Sequence, residues 1–180
     1  MKLCCYYCSS CQLRTTRDSV NESTTSRTDF EQSIIVTAPA DGIFAFVSDV
    51  KNVPQYLPTV ENAQPQQGER IRTEGQVGEK HFESDGHFRV DKAAKRLEWG
   101  SDGEHEYNGW LEVKENGGST SEVKVHIHYK PRPEAMQRMA EKSPGHSFES
   151  AMAEGIGKTL QSIKNICEGT GGKEEIAPNQ

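Results

Sequence analysis

From Phe30 onward the chain distributes its apolar and polar residues in two rhythms, one of period two and one close to four. Phe30, Ile34 and Val36 fall on one side of an extended segment, which predicts a strand. Ala38-Pro39-Ala40-Asp41 follows, and here the period lengthens. Proline suits the first position of a helix, and Asp41 complements its positive N-terminal end. Ile43, Phe44, Phe46, Val47 and Val50 supply the apolar stripe of this short helix. It ends at Asn52-Val53-Pro54-Gln55-Tyr56-Leu57-Pro58, where two prolines restrict the residues before them.

Between Val60 and Lys130 the period returns to two. Ile71, Thr73 and Val77 share a face, as do Phe82, Phe88 and Val90, then Leu97 and Trp99 after a turn at Lys92 to Lys95. His105, Tyr107, Leu111 and Val113 continue the series, and Asn116-Gly117-Gly118 marks a hairpin. The clearest alternation is Val123, Val125, Ile127 and Tyr129 against Lys124, His126, His128 and Lys130. One apolar and one polar face per strand predicts an antiparallel sheet covered on one side. Gly75, Gly78, Gly86 and Gly109 fall where curved strands need bends or bulges.

Pro131 and Pro133 end the sheet, and Ala135, Met136 and Met139 are compatible with one short helical turn. From Ser147 to Cys167 the apolar residues Phe148, Met152, Ile156, Leu160, Ile163 and Cys167 recur at steps of four and three. A helix of this length spans about 30 Å, enough to lie along a whole sheet. The order of elements predicts an α+β helix-grip fold: a curved antiparallel sheet of about seven strands wrapped around a long C-terminal helix.

Composition narrows the class. Of 180 residues 33% are apolar, the mean hydropathy is −0.79, and the net charge is −6. That size supports one domain, expected over residues 29–170. Charges of both signs are interspersed, which argues against a nucleic-acid partner. No apolar run is long enough for stable membrane insertion, and no apolar run of a secretory signal follows Met1-Lys2-Leu3, so a cytoplasmic protein is expected. Residues 1–28 are dominated by Ser and Thr and are expected to form a disordered tail, as residues 171–180 are to form a flexible one. Cys4, Cys5, Cys8 and Cys11 crowd into that first segment, away from Cys167, so no disulfide framework is expected. Cys5, Cys8 and Cys11 have the spacing that opens an iron–sulfur run, but Thr15 stands where its fourth cysteine would be. No cofactor or metal is expected.

Several segments carry a family resemblance. Ile34-x-Val36-x-Ala38-Pro39-Ala40-x-x-Ile43-Phe44-x-Phe46-Val47-x-Asp49 and Asn52-x-Pro54-x-Tyr56-x-Pro58 open it. Arg96-Leu97-Glu98-Trp99, Tyr107-x-Gly109-x-Leu111-x-Val113 and Gly155-x-x-x-x-Leu160-x-x-Ile163-Lys164 continue it. In this order they resemble the polyketide cyclase/dehydrase branch of the SRPBCC (START-like) superfamily, over roughly residues 30–168. The resemblance implies a cavity between sheet and terminal helix. Its members bind lipids, quinones, hormones or polyketides, and share no universal catalytic motif.

The inward residues expected to line such a cavity are Phe46, Tyr56, Ile71, Phe82, Phe88, Trp99, His105, Tyr107 and Leu111, followed by Val125, Ile127, Tyr129, Met152, Ile156 and Leu160. His105 and Tyr107 are the polar candidates among them, although His105 at a strand end has solvent as its simpler environment. His126 and His128 share a polar face, as do His81 and His87. With two strands between the pairs, they stand too far apart to coordinate one metal. Gly155-x-Gly157-Lys158-Thr159 lies inside a helix without the earlier glycine of a phosphate loop. Three readings stay open at this point. The first is a non-catalytic carrier or sensor of a small hydrophobic ligand, lipid, quinone or polyketide-like. The second is a polyketide aromatase/cyclase-type enzyme acting in the same cavity. The third is an interaction module presenting apolar surface around Pro54 to Leu57.

Overall fold

The computed structural model describes residues 28–77, 79–103, 106–132, 134 and 147–175. The cysteines at 4, 5, 8 and 11, the expected N-terminal tail, His105 and the proposed turn near Met136 lie outside these residues. Strand β1 (Asp29–Val36) leads into α1 (Ala40–Ser48), a 3-10 turn (Val50–Asn52) and the single-turn α2 (Val53–Tyr56). Six strands follow: β2 (Val60–Gln66), β3 (Arg70–Val77), β4 (Lys80–Asp91), β5 (Arg96–Ser101), β6 (Glu106–Glu115) and β7 (Ser121–Lys130). Helix α3 (Phe148–Glu168) comes last.

All seven strands form one curved antiparallel sheet in the order β1-β7-β6-β5-β4-β3-β2. It is the α+β helix-grip arrangement that the hydrophobic rhythm predicts. Register places apolar residues opposite one another on the concave face: Leu97 beside Leu111, Leu111 beside Val125, Val113 beside Val123, Val123 beside Ile34. Pro39 stands one residue earlier than expected, in extended conformation as the residue that caps α1. Strand β2 shows no clear alternation because it is an edge strand with a register shift between Val60 and Asn62. An edge also tolerates Pro65, which has no N–H to donate.

Helix α3 begins where Ser147 Oγ accepts the Ser150 N–H at 3.1 Å and stops at Gly169, whose φ of 67° is the left-handed conformation that glycine adopts without strain. Its stripe delivers Phe148, Ile156, Leu160 and Ile163 to the core. Polar contacts along its length tie it to β1. Gln32 Nε2 donates to the Ala153 carbonyl at 2.9 Å, and Lys164 Nζ donates to the Ile35 carbonyl at 2.7 Å. Glu168 Oε1 accepts from the Thr37 N–H at 2.6 Å and from Lys164 Nζ at 2.8 Å. Past the helix, residues 171–175 run back along it, where Glu174 N–H donates to the fully buried Ser162 Oγ at 2.8 Å. Lys173 Nζ reaches the Val60 carbonyl, and Lys158 Nζ donates to that of Glu175.

Truncating Ile163, which is fully buried between helix and sheet, is expected to cost about 2–5 kcal/mol by transfer and cavity terms. The urea midpoint of Ile163→Ala measures it. The Lys164 ammonium, and then the Thr37 N–H, hold the Glu168 carboxyl below its usual range. The stability this gives is present above the carboxylate's unfolded value, about 4.3. It is lost as pH falls through the lowered folded value. The difference in midpoint between wild type and Glu168→Gln should therefore shrink steadily with acidification.

Candidate ligand groove

The concave face divides along the strands into a filled end and a half-open end. At the filled end Val36, Leu97, Leu111, Val113, Val123 and Val125 are each 2% exposed or less. They pack under α1, α2 and the C-terminal half of α3, through Ile43, Val47, Leu160 and Ile163 among others. Toward the other end, inward positions of β3 to β7 are only half-buried: Thr73, Phe82, Ser84, Trp99, Ser101, Tyr107, Ile127 and Tyr129.

Aromatic packing builds the floor and one wall of that half-open end. The Trp99 indole lies across Gly109, where an added Cβ would stand 2.6 Å from its ring and 2.6 Å from the His126 carbonyl oxygen. Only glycine lets the ring lie that close to the strand. From there Trp99 Nε1 donates to Tyr107 Oη at 3.2 Å. Tyr107 meets Tyr129 edge-on at 5.8 Å, Tyr129 meets Phe148 at 5.5 Å, and Phe148 meets Phe30 edge-on at 5.7 Å. The chain of rings thus connects β5 to the first turn of α3 and on to β1. Burial pushes the Tyr107 phenol up, while its side chain keeps accessible surface.

Opposite the rings lies a short row of hydroxyls. Ser84 Oγ and Ser101 Oγ are 3.2 Å apart, Ser101 Oγ also accepts the Gly103 N–H at 3.0 Å, and Thr73 Oγ1 donates to the Ser84 carbonyl at 3.4 Å. Ser84 and Ser101 are absent from the sequence-derived lining, although their parity was legible: Ser84 alternates with Phe82, and Ser101 with Trp99.

The fifteen expected lining residues divide accordingly. Phe82, Trp99, Tyr107, Ile127, Tyr129 and Met152 border the half-open end. Tyr56, Leu111, Val125, Ile156 and Leu160 are packed at the filled end, and Ile71 and Phe88 are buried in the sheet. Tyr56 donates its hydroxyl to the Val47 carbonyl at 3.0 Å, and burial pushes its phenol far up. Phe46 packs edge-on against Tyr56 at 5.9 Å and borders a separate recess of about 330 Å³ with Pro39, Ile166 and Cys167. His105 lies outside the described residues. Around the expected interaction surface Val53 and Tyr56 are buried and Pro54 and Leu57 half-buried.

The convex face is chemically different. Arg96 stacks over Trp110 at 4.2 Å, and Trp110 stacks on His126 at 5.5 Å. His128 Nδ1 lies 3.0 Å from Asp29 Oδ1, and this hydrogen bond, ahead of one from Thr28, holds the Asp29 carboxyl below its usual range. An open recess of about 360 Å³ lies between His87, Asn108, Glu106 and His128, and Ser101 and Tyr107 also border it. Strands β5 and β6 separate His87 from His128. Among the described residues no three or more histidine, cysteine or acidic side chains are grouped to hold a metal ion.

The sequence profile of the family described as polyketide cyclase / dehydrase and lipid transport matches residues 27–168. No curated protein matches the chain. Among solved structures the fold is similar to the di-domain ARO/CYC BexL from the BE-7585A biosynthetic pathway. Identity is 20% and the TM-score 0.61, over 77% of this chain and 46% of that one. The chain therefore spans about half the length of BexL. It is also similar to a START superfamily protein from Mycobacterium smegmatis, with 15% identity, a TM-score of 0.56, and 78% and 94% of the two chains covered. A point mutant of Thalictrum flavum norcoclaurine synthase, in complex with a transition-state analogue, gives 18%, 0.55, 77% and 92%. At these identities the likeness is one of fold. Among the described residues no helix is long and apolar enough to cross a membrane.

Tyr107→Phe removes the acceptor of the Trp99 N–H. At this half-buried position a loss of about 0.5–1.5 kcal/mol is expected, the net worth of one hydrogen bond. Exchange of the Trp99 indole proton, followed by NMR, should quicken while that of Trp110 stays as it was.

Proposed function

The chain belongs to the polyketide cyclase/dehydrase and lipid transport family, and from that premise we propose that it binds a small hydrophobic ligand in the half-open end of its groove, as a non-catalytic carrier or sensor. The observation that carries this reading is the run of half-buried aromatic side chains, Phe82, Trp99, Tyr107 and Tyr129, on a face whose other end is packed. Aromatic surface retained inside a concavity gains by covering it with apolar ligand, at roughly 25 cal/mol per Å² removed from water. The few polar groups fix orientation. The raised Tyr107 phenol stays neutral near neutral pH and is available as a hydrogen-bond donor to such a ligand.

A second reading, an aromatase/cyclase-type enzyme, draws on the same residue. The Trp99 N–H would steady a developing phenolate as Tyr107 gives its proton to a ligand carbonyl. Under that reading Tyr107→Phe abolishes turnover of a bound substrate while leaving it bound.

Trp99 and Trp110 are the two tryptophans of the chain, and Trp110 lies on the convex face. In Trp110→Phe the remaining indole reports on the groove. Protein purified from its natural source should carry an extra mass of a few hundred daltons in native mass spectrometry, lost on denaturation. Returning that extract to the stripped variant should quench Trp99 saturably. A chain that arrives empty and whose Trp99 responds to no quinone, lipid or polyphenol would overturn the binding reading.

A further inference from the structure

The groove carries a second kind of information, in the charges it lacks. Its described polar lining consists of Thr73, Ser84, Trp99, Ser101, Tyr107 and Tyr129, every one of them neutral. Lys80 has the same parity in β4 but is exposed where the strand begins at the β3–β4 turn. Glu115 shares the inward parity of β6 but is exposed at the opposite end of that strand, while charges on the convex face pair with one another: Arg70 with Asp102, Arg72 with Glu83, Arg96 with Glu98, Lys124 with Glu31. The arrangement follows from the alternation of the strands, which puts these four pairs on the side of the sheet away from the groove.

Hydrogen-bond directions add a polarity. Tyr107 Oη already accepts the Trp99 N–H, so what the hydroxyl has left to offer is its proton. Ser84 and Ser101 share one proton between their oxygens, which leaves the pair a second proton to donate. The concavity therefore presents hydroxyl donors among aromatic walls.

Resting on the binding reading above, we propose that the groove selects uncharged ligands bearing an acceptor oxygen, such as a ketone, quinone or ester carbonyl, held on the Tyr107 hydroxyl, and that it rejects carboxylates. A carboxylate entering this end would lose its hydration without meeting a cation among the described lining residues, and two or three neutral donors do not replace that loss. A ketone loses little on entry and recovers one hydrogen bond.

Four probes with one ring system separate the possibilities: 2-acetylnaphthalene, 2-naphthamide, 2-naphthoate and 2-methylnaphthalene, titrated near neutral pH against Trp99 fluorescence in Trp110→Phe. The ketone and the amide should bind at least about tenfold more tightly than the carboxylate. Adding Tyr107→Phe should weaken the ketone several-fold and leave 2-methylnaphthalene, which has no oxygen, unchanged. A carboxylate that binds as well as the amide overturns the selection of neutral ligands and leaves the binding reading intact. A ketone indifferent to Tyr107→Phe overturns the assignment of the anchoring donor. If none of the four reaches Trp99, the binding reading falls, and this inference with it.

Discussion

One helix must cover a sheet far wider than itself. Six steps between seven strands, at about 4.8 Å each, make a face near 29 Å across, whereas a helix with its side chains is about 10 Å wide. Helix α3 lies against β1, and α1 with the short α2 fills the adjoining space at one end. What is left over is the concave face toward Phe82, Trp99 and Ser101. The groove is thus the geometric remainder of a covering problem. Curvature keeps that remainder concave instead of letting it flatten into open surface.

The remainder has a price in packing, and the aromatic residues reduce it. A ring at Trp99 or Tyr129 spans more of the uncovered width than an aliphatic side chain and still reaches a partner. The T-shaped contacts of Tyr107 with Tyr129 and of Phe148 with Phe30, joined by the tilted contact of Tyr129 with Phe148, connect one edge of the opening to the helix and β1. Edge-to-face geometry is the favoured mode for such rings. It also leaves ring faces uncovered, which close stacking would not.

Most of the architecture was legible because it rests on periodicity. The alternation in Val123 to Tyr129 and the four-and-three stripe from Phe148 to Cys167 each bury one face, and a single slip would reverse every side chain. Strand β2 was not legible in the same way. At an edge, with a register shift after Val60, it has little to bury on either side, so its residues carry no rhythm. The return of residues 171–175 along α3 was hidden for a related reason. Its anchors are two polar helix residues, Ser162, which accepts the Glu174 N–H, and Asn165, whose amide donates to the Glu174 carboxylate and the Gly172 carbonyl, and no pattern of hydrophobicity announces that. Parity told which residues point inward and so captured Trp99, Tyr107 and Tyr129. It did not tell how far along the groove the packing extends: Leu111 and Tyr107 share a face and alternate on one strand, yet one is sealed and the other half-open. That division depends on where α1 and α2 come to rest, a matter of three dimensions.

The strand order has a consequence for how the chain is made. Strand β1 is the outer edge of the sheet, and its one neighbour in the sheet is β7, with Val36 opposite Ser121. During synthesis the first strand therefore leaves the ribosome long before the segment that will pair with it exists. The intervening hairpins can zip up locally as they emerge, but β1 must wait until β7 has been made. Long-range pairing of this kind slows folding and leaves unpaired strand edges open to association in the meantime. The nascent chain is thus exposed through β1, and a pause in translation anywhere before β7 prolongs that exposure by its own length.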